Sequence, residues 1–124
     1  MIVQTAKVSK QVEVLLDIVN QIFEIERKVE RLQESNSIQR NVDKLREILE
    51  SQITSLFANE VSFVYENPIG QKYDETRTDC NASIAGENTE DLVIIEVIKP
   101  IIRLKQNNMT QIVQKAVVVV QSQE

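Results

Sequence analysis

Apolar positions step by three and four through residues 12 to 32, where Leu15, Ile18, Ile22, Ile25, Val29 and Leu32 form the stripe of a helix that buries a seam. A second stripe, Val12, Leu16, Val19 and Phe23, widens that face until Glu26 and Glu30 take its next positions. After Ser35-Asn36-Ser37 the pattern resumes with Ile38, Val42, Leu45, Leu49 and Leu56, and Ile48, Ile53 and Phe57 broaden it only near the far end. The step from Leu32 to Ile38 breaks the heptad, and Asn36 followed by Gln39 has the form of a capping box that opens a new helix. Reflection about Asn36 lays residues 12 to 25 beside residues 47 to 60, so an antiparallel hairpin sets one wide face against the other. A single continuous helix gives no reason for that placement. Each leg is about 20 residues, roughly 30 Å long.

Beyond residue 57 the period changes. Val61, Phe63 and Tyr65 alternate with polar neighbours, which predicts a strand over residues 60 to 66, and Asn67-Pro68-Ile69-Gly70 fits a type I turn. Residues 71 to 79 are polar and predict a loop. Residues 80 to 85 alternate weakly, residues 86 to 90 form a turn, and residues 92 to 98 are the strongest strand, rich in β-branched side chains. Pro100 ends that strand or places residues 101 to 104 on an edge or bulge. Gln106-Asn107-Asn108 is a turn, and residues 112 to 120 read as one last strand whose four valines imply burial on both faces or a sandwiched position. The fold class expected is therefore α+β, with a helical dimerisation region over residues 1 to 57 and a compact β lobe over residues 58 to 124. Two helices with a double-width stripe cannot cover each other, so a second copy completing a four-helix bundle is the simplest remedy. Leu15, Ile18, Val19, Ile22, Ile25, Leu45, Leu49 and Leu56 are the expected dimer interface.

Charge and composition narrow the function. The net charge is -5 and the excess lies in the β lobe, where six basic face ten acidic residues. Arg27, Lys28 and Arg31 are interleaved with Glu24, Glu26, Glu30 and Glu34, the pattern of a solvated face with spaced ion pairs, and no basic patch with stacking aromatics suggests nucleic acid. No apolar run approaches the length of a membrane span, and no signal-peptide pattern appears, so a cytoplasmic protein is expected.

There is no histidine, which removes the commonest general base and the usual zinc ligand together. Cys80, the single cysteine, has only Arg77 nearby to activate it, and a buried apolar role is the more economical reading. Asp74, Glu75 and Asp79 lack the central glycine and bidentate glutamate of a calcium loop. With two glycines in the chain, phosphate-cradling loops are not expected either. No enzyme, metal or cofactor is expected, and function by binding remains. Arg103 and Lys105, placed between two strands, are the candidate cationic contacts, against the simpler reading of edge charges that discourage aggregation.

The order helix, polar break, helix, β lobe with a valine-rich closing strand resembles the GrpE family, the dimeric nucleotide-exchange factors of DnaK-type chaperones. Leu15-Leu16-Asp17-Ile18-Val19-Asn20 is similar to the segment opening the family's bundle helix, and Pro68-Ile69-Gly70-Gln71-Lys72-Tyr73-Asp74 to its turn before an aromatic-Asp pair. Residues 93 to 99 and 115 to 120 resemble its penultimate and closing strands. Departures fall at Pro100-Ile101, Glu75, Thr78, Gln111 and Gln114, the last two standing where the family has arginines. The resemblance implies a homodimer whose β lobe docks on a DnaK-type ATPase domain, with Tyr73, Asp74, Arg103, Lys105 and Asn107 as contact residues. A scaffold or adaptor without exchange activity is the alternative, and an enzyme using Cys80 or Asp74 is the remote one.

Overall fold

The two helical stripes form two separate helices that pack against each other. In a computed structural model, which describes residues 10–32, 37–52 and 61–124, α1 (Lys10–Arg31) is followed by α2 (Ile38–Glu47), and the two helices pack together. Glu26 and Arg46, each ten residues from Asn36, meet with Oε2 and Nη1 3.8 Å apart, so the register is the one the reflection demands. The expected cap is not formed as read: Ser37 holds the N-cap position without a side-chain bond, and Gln39 reaches forward to Asp43 at 2.9 Å. Asn36, Ile53, Leu56, Phe57 and residues 1 to 9 lie outside the described residues. A π-helical turn, Ile48–Gln52, continues α2 and packs on the first strand.

Among the described residues seven strands follow: β1 (Val61–Glu66), β2 (Lys72–Tyr73), β3 (Cys80–Ala85), β4 (Leu92–Lys99), β5 (Ile101–Gln106), β6 (Met109–Gln114) and β7 (Ala116–Ser122). They make a three-stranded antiparallel sheet in the order β1-β5-β6 and a four-stranded sheet in the order β2-β4-β7-β3, with β3 and β7 parallel. Val61, Phe63 and Tyr65 are buried and alternate with half-buried neighbours, the pattern of a strand with one face on the core. The first turn sits one residue later than expected. Gln71 N–H donates to Pro68 O at 3.1 Å and Gly70 occupies the third place with φ of 80°, the type II position where a glycine avoids the Cβ clash.

The last stretch is two strands rather than one, broken at Lys115. The reason is topological: the chain leaves the larger sheet for the smaller at Pro100 and returns at Lys115, and these two crossings share a corner. Gln114 Nε2 donates to Pro100 O at 3.0 Å there, and Pro100, having no N–H, loses nothing by standing between ladders. Pro100 thus ends β4 as expected, and residues 101 to 106 are the central strand of their sheet and not an edge, with a register shift against β6 at Ile102–Arg103. Of the four valines, Val118 and Val120 are buried and Val117 and Val119 half-buried, so burial on both faces fails, while the sandwiched position holds, since β7 lies between β4 and β3.

The buried hydrophobic residues other than Val29 form one contiguous core. Val19, Ile22 and Phe23 of α1, with Val42 and Leu49, join the cluster that fills the space between the sheets. The second stripe of α1 thus finds its cover in the strands: the Phe23 and Tyr65 rings meet edge to face, with centroids 6.2 Å apart.

Candidate partner-binding surface

Tyr73 and Asp74 stand where the short edge strand β2 gives way to a loop, and that loop is tied from within. Asp74 Oδ1 accepts from Thr76 N at 2.8 Å and from the Thr76 hydroxyl, bonds that hold its carboxyl below the usual range although it is exposed. Arg77 is the central tie. Its guanidinium donates to Asp79 Oδ1 at 2.6 Å, Lys72 O at 3.0 Å and Gln71 Oε1 at 2.7 Å. Burial alone would raise the Asp79 carboxyl, but the Arg77 bond and charge outweigh it and the net shift is downward.

Arg103 belongs to the same network and is not a free surface cation. It reaches Glu66 Oε2 of the neighbouring β1 at 2.6 Å and lies 3.9 Å from Asp79 Oδ2. A chain of charges therefore runs from Glu66 through Arg103, Asp79 and Arg77 to the loop that carries Tyr73 and Asp74. Lys105 and Asn107 are elsewhere, at the tip of the β5-β6 hairpin. Asn107 and Asn108 have φ of 49° and 67°, the left-handed pair of a tight hairpin turn, and they border a shallow cleft of about 320 Å³ with Ser62, Lys105 and Thr110. Lys105 is exposed and makes no ion pair among the described residues. The five expected contact residues thus form two patches, one buttressed by ion pairs and one at a hairpin tip.

Beside the first patch an open groove of about 630 Å³ runs from Tyr73, Asp74 and Glu75 past Asp91 and Leu92 to Ala82 and Ile84. Its lining combines the apolar Ala82, Ile84 and Leu92 with three carboxylates against the single Lys72. Cys80 is buried close by in sequence; burial and then the Asp79 charge push its thiol up to about 11, despite Arg77. At neutral pH it is a thiol, in keeping with an apolar role. Among the described residues no cluster of candidate ligands is placed to hold a metal ion, and no helix is long and apolar enough to cross a membrane.

The residues missed by sequence reasoning lie between the helices and β1. Glu26, read as part of a solvated face, is buried: the Tyr65 hydroxyl donates to its Oε2 at 3.2 Å, and Arg46 approaches it while stacking over the Tyr65 ring at 4.5 Å. Burial and the Glu26 charge raise the Tyr65 hydroxyl, which stays protonated and donating. Arg27, from the same charged run, donates to Val97 O and lies over Phe23, 5.6 Å from its centroid. Among the described residues of that run, the half-buried Glu24 and the exposed Lys28, 3.6 Å apart, form the one surface pair of the kind expected.

The expected interface residues divide. Val19, Ile22 and Leu49 are already buried within the chain and Leu15 packs half-buried against the core. Ile18, Ile25 and Leu45 are exposed, and Leu56 is outside the described residues. Ile18 and Ile25 continue an exposed line from Val14 to Leu32, which with Ile38 and Leu45 on α2 leaves an apolar stripe of the two helices uncovered among the described residues. Comparison with models of known families, with curated proteins and with solved structures finds no match for the chain.

Proposed function

We propose that this chain is a GrpE-like co-chaperone of the cytoplasm, a homodimer that docks its β lobe on a DnaK-type ATPase domain and promotes nucleotide exchange. One observation carries the reading: a helical hairpin with an uncovered apolar stripe precedes a β lobe in the order in which the family-like segments occur. A second hairpin laid on Val14, Ile18, Ile25 and Leu45 would complete a four-helix bundle and remove that stripe from water. Tyr73, Asp74, Arg103, Lys105 and Asn107 are the contact residues of this reading, in two patches. A lobe that binds the open nucleotide cleft better than the closed one weakens nucleotide affinity by the same coupling factor.

A specific observation favours the second reading, an adaptor without exchange activity. Gln114 is spent on Asn20 and Pro100, so one position where the resemblance calls for an arginine faces inward and offers no charge to a partner. Nucleotide release decides between the two. A cognate ATPase domain loaded with labelled ADP should release it faster when the protein is added. Co-elution with an unchanged off-rate leaves the adaptor, and failure to co-elute with any such domain removes both.

A further inference from the structure

β3 is the outer strand of the four-stranded sheet, paired with β7 on one side, and no strand among the described residues pairs with its other side. Ala116 N–H donates to Asp79 O at 3.0 Å, so by strand alternation the backbone groups of Cys80, Ala82 and Ile84 point away from β7. An edge that is not to be paired usually carries a charge, a proline or a bulge, and Cys80-Asn81-Ala82-Ser83-Ile84-Ala85 carries none. The other edges are blunted: β2 is two residues long and bears Lys72, β1 ends in Glu66, and β6 carries a register shift at Val113 and is tied to Asn20 of α1 at Gln114. Ala82 and Ile84 sit opposite the buried Val118 and Val120, on the core side of the sheet, yet Ile84 is 44% exposed because the core stops short of it. There the groove opens, lined also by Tyr73 and Leu92 and by the carboxylates of Asp74, Glu75 and Asp91.

The geometry points to strand addition: the free edge of β3 takes up an extended basic and apolar segment of a partner protein as a fifth strand. Backbone hydrogen bonds to Ala82 and Ile84 would hold the segment, an aliphatic side chain would cover Ile84, and lysine or arginine side chains on its groove side would lie in the field of Asp74, Glu75 and Asp91. Charge selects this occupant. A second copy pairing edge to edge would bring two acidic groove linings together in a chain that already carries a net charge of -5, and nucleic acid would meet the same repulsion. The inference goes beyond ATPase-domain docking and does not need it, although Tyr73 and Asp74 border both surfaces.

The probe is a short fluorescent peptide of alternating lysine and valine, titrated into the whole protein and followed by anisotropy. Saturable binding is expected, with a glutamate-valine peptide at least about tenfold weaker. Methylating the amide nitrogens along one edge of the lysine peptide should abolish binding without touching the protein. Glu75→Gln and Asp91→Asn should each weaken it about two- to fivefold; asparagine tolerates the positive φ of 54° at position 91, so the fold is kept. No saturable binding at millimolar peptide, equal binding of the methylated peptide, or equal binding of the acidic one overturns the proposal. So does a self-association of the protein that the peptide cannot compete away and that Ile84→Lys removes. Because no ATPase domain is present, these outcomes are separate from those of the exchange assay.

Discussion

Asn20 and Gln114 exchange two hydrogen bonds, Nδ2 to Oε1 at 2.8 Å and Nε2 to Oδ1 at 2.9 Å, across 94 residues of sequence. This amide pair fastens the first helix to the corner where the chain changes sheets, and the same Gln114 nitrogen holds Pro100 O. Gln114→Ala should cost about 1–3 kcal/mol, since it strands a half-buried amide and a carbonyl. Adding Asn20→Ala should cost less than the two single changes together. Denaturant midpoints of the four proteins measure this, and strict additivity would show the pair to be uncoupled.

The two apolar faces of α1 predict opposite responses. Phe23→Ala opens a cavity beneath Tyr65 and should lower folding stability by about 3–5 kcal/mol. Ile18→Ser with Ile25→Ser changes exposed positions and should move the stability of the single chain by no more than about 0.5 kcal/mol per site. If the exposed stripe is where copies meet, the same pair of changes should turn dimer into monomer in light scattering at micromolar concentration. A wild-type monomer under those conditions would remove the bundle.

Acid should weaken the tie between the sheets. The Asp79 carboxyl is lowered in the folded chain, so its contribution is fully present above the ordinary aspartate value near 4 and is lost as pH falls through the lowered folded value. With a partly exposed network the whole effect should be about 1 kcal/mol or less. Asp79→Asn should flatten that part of the stability profile between about pH 5 and 2, and an unchanged slope would assign it to other carboxylates.

Cys80 offers a direct reading of its surroundings. With the thiol near 11, labelling by a maleimide at pH 8 should run about two orders of magnitude slower than in the unfolded chain, from thiolate fraction alone. Fast labelling of the native protein would mean that the β3 end of the core is open.

The hairpin was legible because it needed only local signals: a broken heptad and two stripes whose wide ends mirror each other about Asn36, a symmetry that Glu26 and Arg46 obey. The burial of Glu26 was not. A charge at the next position of an apolar stripe reads as the end of the buried face, and its partners Tyr65 and Arg46 come from elements that the helix pattern does not mention. Arg103 failed as a free cation for a similar reason, since Glu66 becomes its neighbour only through the β1-β5 ladder. Turn chemistry placed Asp74 and Asn107 on loops, while the break at Lys115 depended on the sheet change at Pro100, which no local pattern encodes.

The position of β7 bears on how the molecule assembles. It is the last strand, yet it lies between β4 and β3, so the larger sheet stays in two pieces until residues 116 to 122 are laid in. The amide pair imposes the same wait on α1, whose anchor is 94 residues away. Such distant pairings make loop closure the slow step, and the ordering of this chain should be late and concerted, with its hairpin formed early and its sheets closed together.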